Sequence, residues 1–483
     1  MPIQTPLSLL SAALLAGVLL ASVPATAQPD TLRLSLDQAV ALALEHHLGL
    51  RRAQLGVQIQ EQTLTQERLR FGRTFTTSLS HQANRSLSTS RLEEVAITQS
   101  NAQNLGVGLS QDLATGGSLS LDFNNQRSYS NAAYVSINPT YRSDLQLRFS
   151  QPLLQGRGRV NRLGQELARQ GLARAQVGVE GQRQDLAAQV GLAYWDLVLA
   201  QENLQFNQQL LAGAQRLLEY VQVRAEIGTQ ARSTILQAQV GLAQRQEQIV
   251  TAQGARRQAE DQLKSLLGLD QEPARWSAAL HLTEGPAVTP FAGDPERGLA
   301  LARHPAYRQA QLQQQSLQLQ LELARDQTRP ALSLTARAGL SGIDSTYQDN
   351  LTGIQDNRAW QGGVNLVFPL GQTPAQARLQ QRQLEYQQSQ LDLEQLRLQL
   401  AEQVRNQHRQ VGLSRQREEA AGWTERLAEQ SVREEEERLK LGLSTVRQVL
   451  DAQDDLAQAH LNRLQALLDY TKALIEWHRL TGE

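Results

Sequence analysis

Cysteine is absent from this 483-residue chain, which excludes disulfides, thiolate metal sites and a cysteine nucleophile. The one methionine is the initiator, so a thioether site for a soft metal ion is excluded as well. An excess of either charge is also missing: 47 Lys and Arg stand against 48 Asp and Glu, a formal net charge of −1. Aromatics are only 4% of residues, and the basic side chains are spread along the chain, so nucleic acid is not an expected partner. Beyond residue 27 no stretch of about 20 apolar residues occurs. A mature chain that crosses a membrane must therefore cross with strands. Catalytic spacings are missing too. Gln155-Gly156-Arg157-Gly158-Arg159 lacks the Lys-Ser/Thr of a phosphate-binding loop and reads as a strand-to-helix turn. There is no nucleophile elbow, no zinc spacing and no carboxylate pair that periodicity brings into a cleft. His46 and His47 point about 100° apart on a helix and cannot share an ion. The chain is expected to be no enzyme and to hold no cofactor or metal.

What is present begins with an apolar run, Leu7 to Val23, followed by Ala25-Thr26-Ala27. This reads as a secretory signal over 1–27, although Met1 to Pro6 carry no Lys or Arg. The rest of the chain repeats itself. Ala225 to Gln239 returns as Leu439 to Gln453, with Gly228 and Gly442 in the same place and Leu236 and Leu450 eight residues on. Each copy ends one very long helical pattern and starts another. A glycine after a helix takes the left-handed backbone conformation cheaply, and a following Ser or Thr caps the next helix. Each copy is thus the tip of a helical hairpin, and two tips mean a tandem repeat. Glu45 to Gln54 answers Arg303 to Gln311, and Gln151-Pro152-Leu153 answers Phe368-Pro369-Leu370. The offset falls from 257 to 217 only between these landmarks, so repeat one carries a single insertion of roughly forty residues between about 70 and 152. The expected organisation is a signal peptide, 1–27, repeat one, 28–267, a linker rich in proline and glycine, 268–298, and repeat two, 299–483.

Helical periodicity predicts helices over Leu36 to Leu69, Arg159 to Ile227, Ser233 to Leu267, Pro374 to Leu441 and Ser444 to Leu480. Asp294-Pro295-Glu296 reads as the start of another, ending near Arg329-Pro330. The two longest reach about 100 Å at 1.5 Å per residue, which demands coiled-coil-like partners along their length. Tyr194, Trp195, Trp423 and Trp477 are expected as knobs between helices. After Phe71-Gly72-Arg73 the period changes to two. Strands are expected at Phe75 to Leu87, Leu105 to Leu109, Leu119 to Phe123 and Leu145 to Phe149 in repeat one, and at Ala331 to Leu340 and Trp360 to Phe368 in repeat two. The tight turn Ala114-Thr115-Gly116-Gly117 contrasts with the long polar connections 88–103, 130–141 and 341–359, the asymmetry of an outer-membrane barrel. A soluble β-domain buried on one face is the alternative.

The order helix, strands, long helix, glycine tip, helix, linker, and then all of it again, resembles the TolC family of outer-membrane efflux proteins. The residues that carry the resemblance are Ile227-Gly228-Thr229 and Leu441-Gly442-Leu443, each leading to a Leu-x-Ala-Gln run, with Gln151-Pro152-Leu153-Leu154 and Leu36-Asp37-Gln38-Ala39. The resemblance implies a mixed, mostly α fold, a homotrimer with one shared transmembrane β-barrel in the outer membrane, and a long helical periplasmic tunnel. It implies a passive exit channel of a tripartite efflux pump or type I secretion system, docked to a periplasmic adaptor protein and through it to an inner-membrane transporter. It makes Ile227, Gly228, Thr229, Leu441, Gly442 and Leu443 the docking candidates. It also places a pore constriction six and nine residues after the second tip glycine, where Gln448 and Asp451 stand. Asp451 matches the family's carboxylate and Gln448 departs from it. The bland reading of Asp451 is an Arg447–Asp451 pair on an outer surface. Four strands per protomer is the family's usual share, and whether the inserted hairpin 105–123 joins the wall, giving eighteen strands against twelve, stays open on the sequence. The alternative class is a non-channel periplasmic or secreted coiled-coil structural protein.

Overall fold

The computed structural model describes residues 32–89, 91–227, 231–271, 273–285, 290–294, 303–355 and 357–482. The expected signal segment lies outside the described residues. The chain opens with strand β1 (Leu32–Leu34) and helix α1 (Leu36–His46), whose N-terminus is closed by a reciprocal cap between Ser35 and Gln38. The single helix expected to Leu69 is broken. His47 takes an extended conformation, φ −65° and ψ 119°, and starts α2 (Leu48–Leu69). At the corresponding place in repeat two, His304 has φ −67° and ψ 122° and starts α6 (Pro305–Gln327). An extended histidine starting this helix is therefore common to both repeats. A proline at the first helical position marks it in the second copy only.

Helix α3 (Leu163–Glu226, 64 residues) begins after a 3₁₀ turn at Gly158–Arg162, four residues later than periodicity predicts. It hands over at the first tip to α4 (Arg232–Leu266). In repeat two, Thr373 and Gln376 cap α8 (Pro374–Lys440, 67 residues), and the second tip leads to α9 (Val446–Thr481). Near the sheet, α2 packs on α3, α3 on α6 and α6 on α8. Farther away the hairpins α3–α4 and α8–α9 lie against each other through α9. Helices α2 and α8 are thus the outer members of a four-helix row. Both carry exposed leucines at heptad spacing, Leu48 and Leu55 on α2, and Leu384, Leu391 and Leu398 on α8.

The largest core lies at mid-height. Leu186, Val190, Tyr194 and Leu197 of α3 pack against Ala39 and Ala43 of α1 and Leu263 of α4. The region expected to be a plain linker contributes a helical turn, α5 (Pro273–Trp276), and a strand, β6 (Leu280–Leu282), which pairs in parallel with β1. The buried Tyr194 hydroxyl ties this ladder to α3, donating to Leu34 O at 3.3 Å and accepting from Glu284 N at 3.3 Å. Burial raises the Tyr194 pKa above its usual value. Trp477 is also buried, edge-on to Phe291. Trp423 departs from expectation: it is 62% exposed, with the Arg426 guanidinium over its ring at 4.1 Å.

All six expected strands form and are longer than their apolar positions. They are β2 (Arg73–Leu87), β3 (Ile97–Asp112), β4 (Ser118–Ser130), β5 (Thr140–Pro152), β7 (Ala331–Asp344) and β8 (Asn357–Val367). The connections expected from residue 88 to 103 and from 130 to 141 are correspondingly shorter. The strands make one antiparallel sheet in the order β2-β3-β4-β5-β7-β8, with the inserted hairpin β3–β4 hydrogen-bonded between β2 and β5. The register aligns one apolar face across the sheet. Phe75 opposes Leu109, Leu109 opposes Leu121, and Leu121 opposes Leu147. Leu147 in turn opposes Ala338, and Ala338 opposes Trp360.

The other face carries Thr76, Gly108, Asp122, Gln146, Gly339 and Ala359 in the same cross-strand series. Gly108 is buried and Asp122 half-buried while Leu109 and Leu121 are exposed, as in a sheet whose polar side is the concave one. Above the apolar band, a short helix α7 (Tyr347–Thr352) lies on the outer face. Asn350 of α7 donates to Ser143 Oγ at 2.7 Å, and a Cβ at Gly342 would run into the Asn350 carbonyl oxygen.

An apolar convex face suits lipid and a polar concave face suits water. Leu121→Arg, in the middle of the convex face, is expected to cost about 2–4 kcal/mol in a bilayer and to deplete the protein from the membrane fraction. Asn124→Arg, three residues on and concave, should leave the yield unchanged. Equal yields of the two variants would contradict this assignment of faces.

Candidate functional site

Two features carry the candidate chemistry: the helical tips at one end and the polar concave wall at the other. At the second tip the last turn of α8 closes as a Schellman motif. Leu443 N donates to Arg438 O at 2.8 Å and Gly442 N to Leu439 O at 3.1 Å. Gly442 sits at φ +76°, in the left-handed region that glycine enters without a Cβ penalty. Thr445 then caps α9. Its hydroxyl accepts from Gln448 N at 3.3 Å, while Gln448 Oε1 accepts from Thr445 N at 2.9 Å and from the Ser444 hydroxyl at 3.1 Å. This turn leaves Leu441 and Leu443 exposed at its apex.

The first tip places Ile227 at the C-cap of α3, also exposed, while Gly228 and Thr229 lie outside the described residues. Ala231 precedes α4 with no side-chain cap. A shared apolar cluster holds the tips side by side: Leu217 and Val221 of α3, Ala238 of α4, Leu439 of α8, and Val446 and Val449 of α9. Arg224 Nη2 donates to the terminal carbonyl of α8, Lys440 O, at 3.3 Å. The structure thus brings Ile227, Leu441 and Leu443 to the same end of the molecule.

Gln448 is occupied by the cap. Asp451 pairs with Arg447 at 3.7 Å, both side chains being well exposed. The acidic neighbours of Asp451 diverge. Asp454 reaches Arg245 of α4 at 2.7 Å, and this arginine is buried, with Nη1 donating to Gln248 Oε1 at 2.9 Å. A second buried network, also absent from the sequence reading, joins three helices. Glu425 of α8, 4% exposed, holds His460 Nδ1 at 2.5 Å and Arg463 Nη1 at 2.5 Å from α9. Phe206 of α3 stacks on the His460 ring with centroids 3.7 Å apart. Residues this far apart in sequence leave no local signal. The one available clue is a charged residue on an apolar helical face.

The wall offers hydroxyls, amides and a few charges. Among the described residues no group of His, Asp or Glu is arranged to hold a metal ion, and no helix is long and apolar enough to cross a membrane. The arrangement suits passage of solute along a polar surface.

At Gly442 an added Cβ meets no atom within 4 Å, so substitution there tests backbone strain alone. Gly442→Ala should cost about 1–2 kcal/mol and lower hydrogen-exchange protection in the adjoining turns of α8 and α9 about tenfold. Gly442→Asn should lose less, because Asn tolerates the left-handed region better. Equal losses would remove the strain explanation.

The family model described as "Outer membrane efflux protein" matches residues 118–269 and 297–483. No curated protein sequence matches the chain. Three solved structures are similar in fold. The Campylobacter jejuni CmeC outer membrane channel is 14% identical, with TM-score 0.71, covering 92% of this chain and 85% of that one. The outer membrane protein VceC of Vibrio cholerae is 17% identical, with TM-score 0.67, covering 92% and 96%. The open state of the Neisseria gonorrhoeae MtrE outer membrane channel is 19% identical, with TM-score 0.67, covering 92% and 88%. These neighbours have the β-barrel and helical-tunnel fold that the element order implies, and the model match spans more than half of the sequence. With its six-stranded sheet, its paired helical hairpins and this match, the chain belongs to the outer membrane efflux protein family.

Proposed function

We propose that three copies of this chain close one barrel and one tube in the outer membrane, forming the passive exit duct of an efflux pump or type I secretion system. The observation that carries the proposal is that sheet and helical row are open on the same two sides. Strand β2 follows α2 directly and β8 precedes α8 directly. Every residue of β2 is exposed, as is nearly all of β8. An unpaired strand edge is not tolerated in lipid, so the edges need a second copy. Six strands per copy is an even number, which sets β8 antiparallel to β2 of the next copy, as a barrel wall requires. Because the inserted hairpin lies within the sheet, the wall has eighteen strands. A coiled-coil scaffold without a channel leaves the apolar convex face with nothing to cover it.

The leucine stripes support the same join. Leu55 lies on α2 about five turns before β2 begins at Arg73, and Leu391 lies about five turns after α8 begins at Pro374. At about 1.5 Å per residue Leu55 stands about 21 Å from the sheet end of α2 and Leu391 about 26 Å from the sheet end of α8. Because the chain has no cysteine, Leu55→Cys with Leu391→Cys gives an unambiguous crosslink. Oxidation should convert monomer to a covalent trimer on a denaturing gel. Monomer alone, from protein in the membrane fraction, would defeat the proposed join.

At the far end, the exposed Ile227, Leu441 and Leu443, with Gly228 and Thr229 entering on sequence alone, form the surface for a periplasmic adaptor, which links the duct to an inner-membrane transporter. Asp451 forms a single acidic ring near the tip, with Gln448 serving the cap. An exposed pair such as Arg447–Asp451 is worth little, so the carboxylate is free to turn toward the bore. Ile227→Asp with Leu443→Asp should leave trimer formation and insertion intact while abolishing export of a fluorescent dye from cells. Export at the wild-type rate would exclude the tips as the docking surface.

A further inference from the structure

On the concave face of the sheet, Arg148 of β5 stands directly opposite Arg337 of β7. Like charges at directly opposed positions of neighbouring strands repel and cost stability. Nothing acidic relieves the pair. Among the described residues neither guanidinium lies within ion-pair distance of a carboxylate, and Arg148 is held sideways by the neutral Gln146, from Nε at 3.3 Å and from Nη2 at 2.8 Å. Asp122 lies on the same face, opposite Gln146. It accepts from Ser120 Oγ at 2.9 Å, and Ser120 is the residue opposite Arg148 on β4.

Between the two arginines the wall is hollowed, with a cavity of about 360 Å³ lined also by Ser120, Ser150, Thr335 and Gln361 and by the apolar Phe149 and Ala336. Of the polar side chains, Ser150 and Gln361 keep donors for a solute, the Ser120 and Thr335 hydroxyls donate to Asp122 and to Gly363 O, and none carries a negative charge. Planar guanidinium groups beside hydroxyls form a site for the oxygens of phosphate, sulfate or carboxylate. Arg148 lies four residues before the end of β5, and Arg337 six residues after the start of β7. The hollow is therefore near the end of the sheet where the helices attach.

We propose that Arg148 and Arg337 form an oxyanion-binding site on the inner wall and that its repetition around the pore makes an arginine collar favouring anionic solutes. The collar rests on the proposed channel, since only a closed barrel turns the concave face into a lining. Rings of basic side chains select anions in other pores by the same electrostatics. The convex face is the one toward lipid, so the site takes soluble oxyanions and not headgroups.

The test is current block in a planar bilayer holding the purified full-length protein, with inorganic tripolyphosphate added on the barrel side. The wild-type pore should be half-blocked at a concentration at least about tenfold below that needed for Arg148→Gln with Arg337→Gln, because the block follows the charge of the ring. Arg148→Lys with Arg337→Lys, which keeps the charge, should recover most of the block. Pores of normal conductance blocked equally in the wild type and the glutamine variant would overturn the collar and leave the channel standing. A wild-type protein that forms no pores would overturn the channel reading and the collar with it.

Discussion

Backbone hydrogen bonding at the edges of the sheet is the constraint on which this architecture turns. In water an open edge finds solvent partners; in lipid it finds none, and each orphaned group costs several kcal/mol. The free edges belong to β2 and β8. The same polypeptide leaves α2 and α8 as the outer helices of its row, with leucine stripes facing away from the rest of the chain. Because α2 runs straight into β2 and β8 straight into α8, each side of the protomer presents one strand edge and one helix stripe together. A single rotation that pairs the strands also packs the helices. The two deficits have one remedy, which is why wall and tube are best understood as one cooperative interface.

The hairpin tips follow a different logic. Helices as long as α3 and α8 need firm stops, and the second tip supplies one through the Schellman turn at Gly442 and the Thr445–Gln448 cap. The first tip has Ala231 where a capping side chain would stand. Local stability tracks such satisfied ends, so the start of α4 is held less firmly than the start of α9. The apolar cluster from Leu217 to Val449 binds the two into one unit, and the buried Arg245, paired with the exposed Asp454, and the Glu425 network lock the same hairpins farther along.

How much of this is legible in the sequence depends on the range of the interaction. The helices and strands are visible because apolar residues recur with their periods. Strand lengths come out short for a physical reason. Above the apolar band β3 carries Gln99, Asn101 and Gln103 on the outer face, and a strand polar on both sides shows no alternation. The break at His47 is hidden because histidine is no helix breaker and its φ, ψ are accessible to any residue. The short ladder of β1 and β6 cannot show a period, and its partners, Leu32 and Leu280 among them, are separated by nearly the whole first repeat. The tips announce themselves through glycine and a hydroxyl. The occupation of Gln448 by the cap needs the third dimension, as does the buried partner of Asp454, although the Thr-x-x-Gln spacing is itself a capping signature.

The insertion in repeat one obeys topology and also geometry. One added strand would reverse the chain and deliver α3 to the wrong side of the sheet; a hairpin keeps the direction, and α3 still leaves β5 alongside the other helices. The hairpin widens each copy's share of the wall, which raises the question of fit to the tube below. Four helices at about 8–10 Å apart occupy about 32–40 Å of circumference. Six strands about 4.8 Å apart, tilted by about 40°, occupy about 37 Å, whereas four would occupy about 25 Å. The six-strand share therefore matches the helical row without a taper. A wall that continues the tube at equal width leaves no narrowing at the join, so selection among solutes falls to whatever side chains reach in from that wide wall, and to the tips.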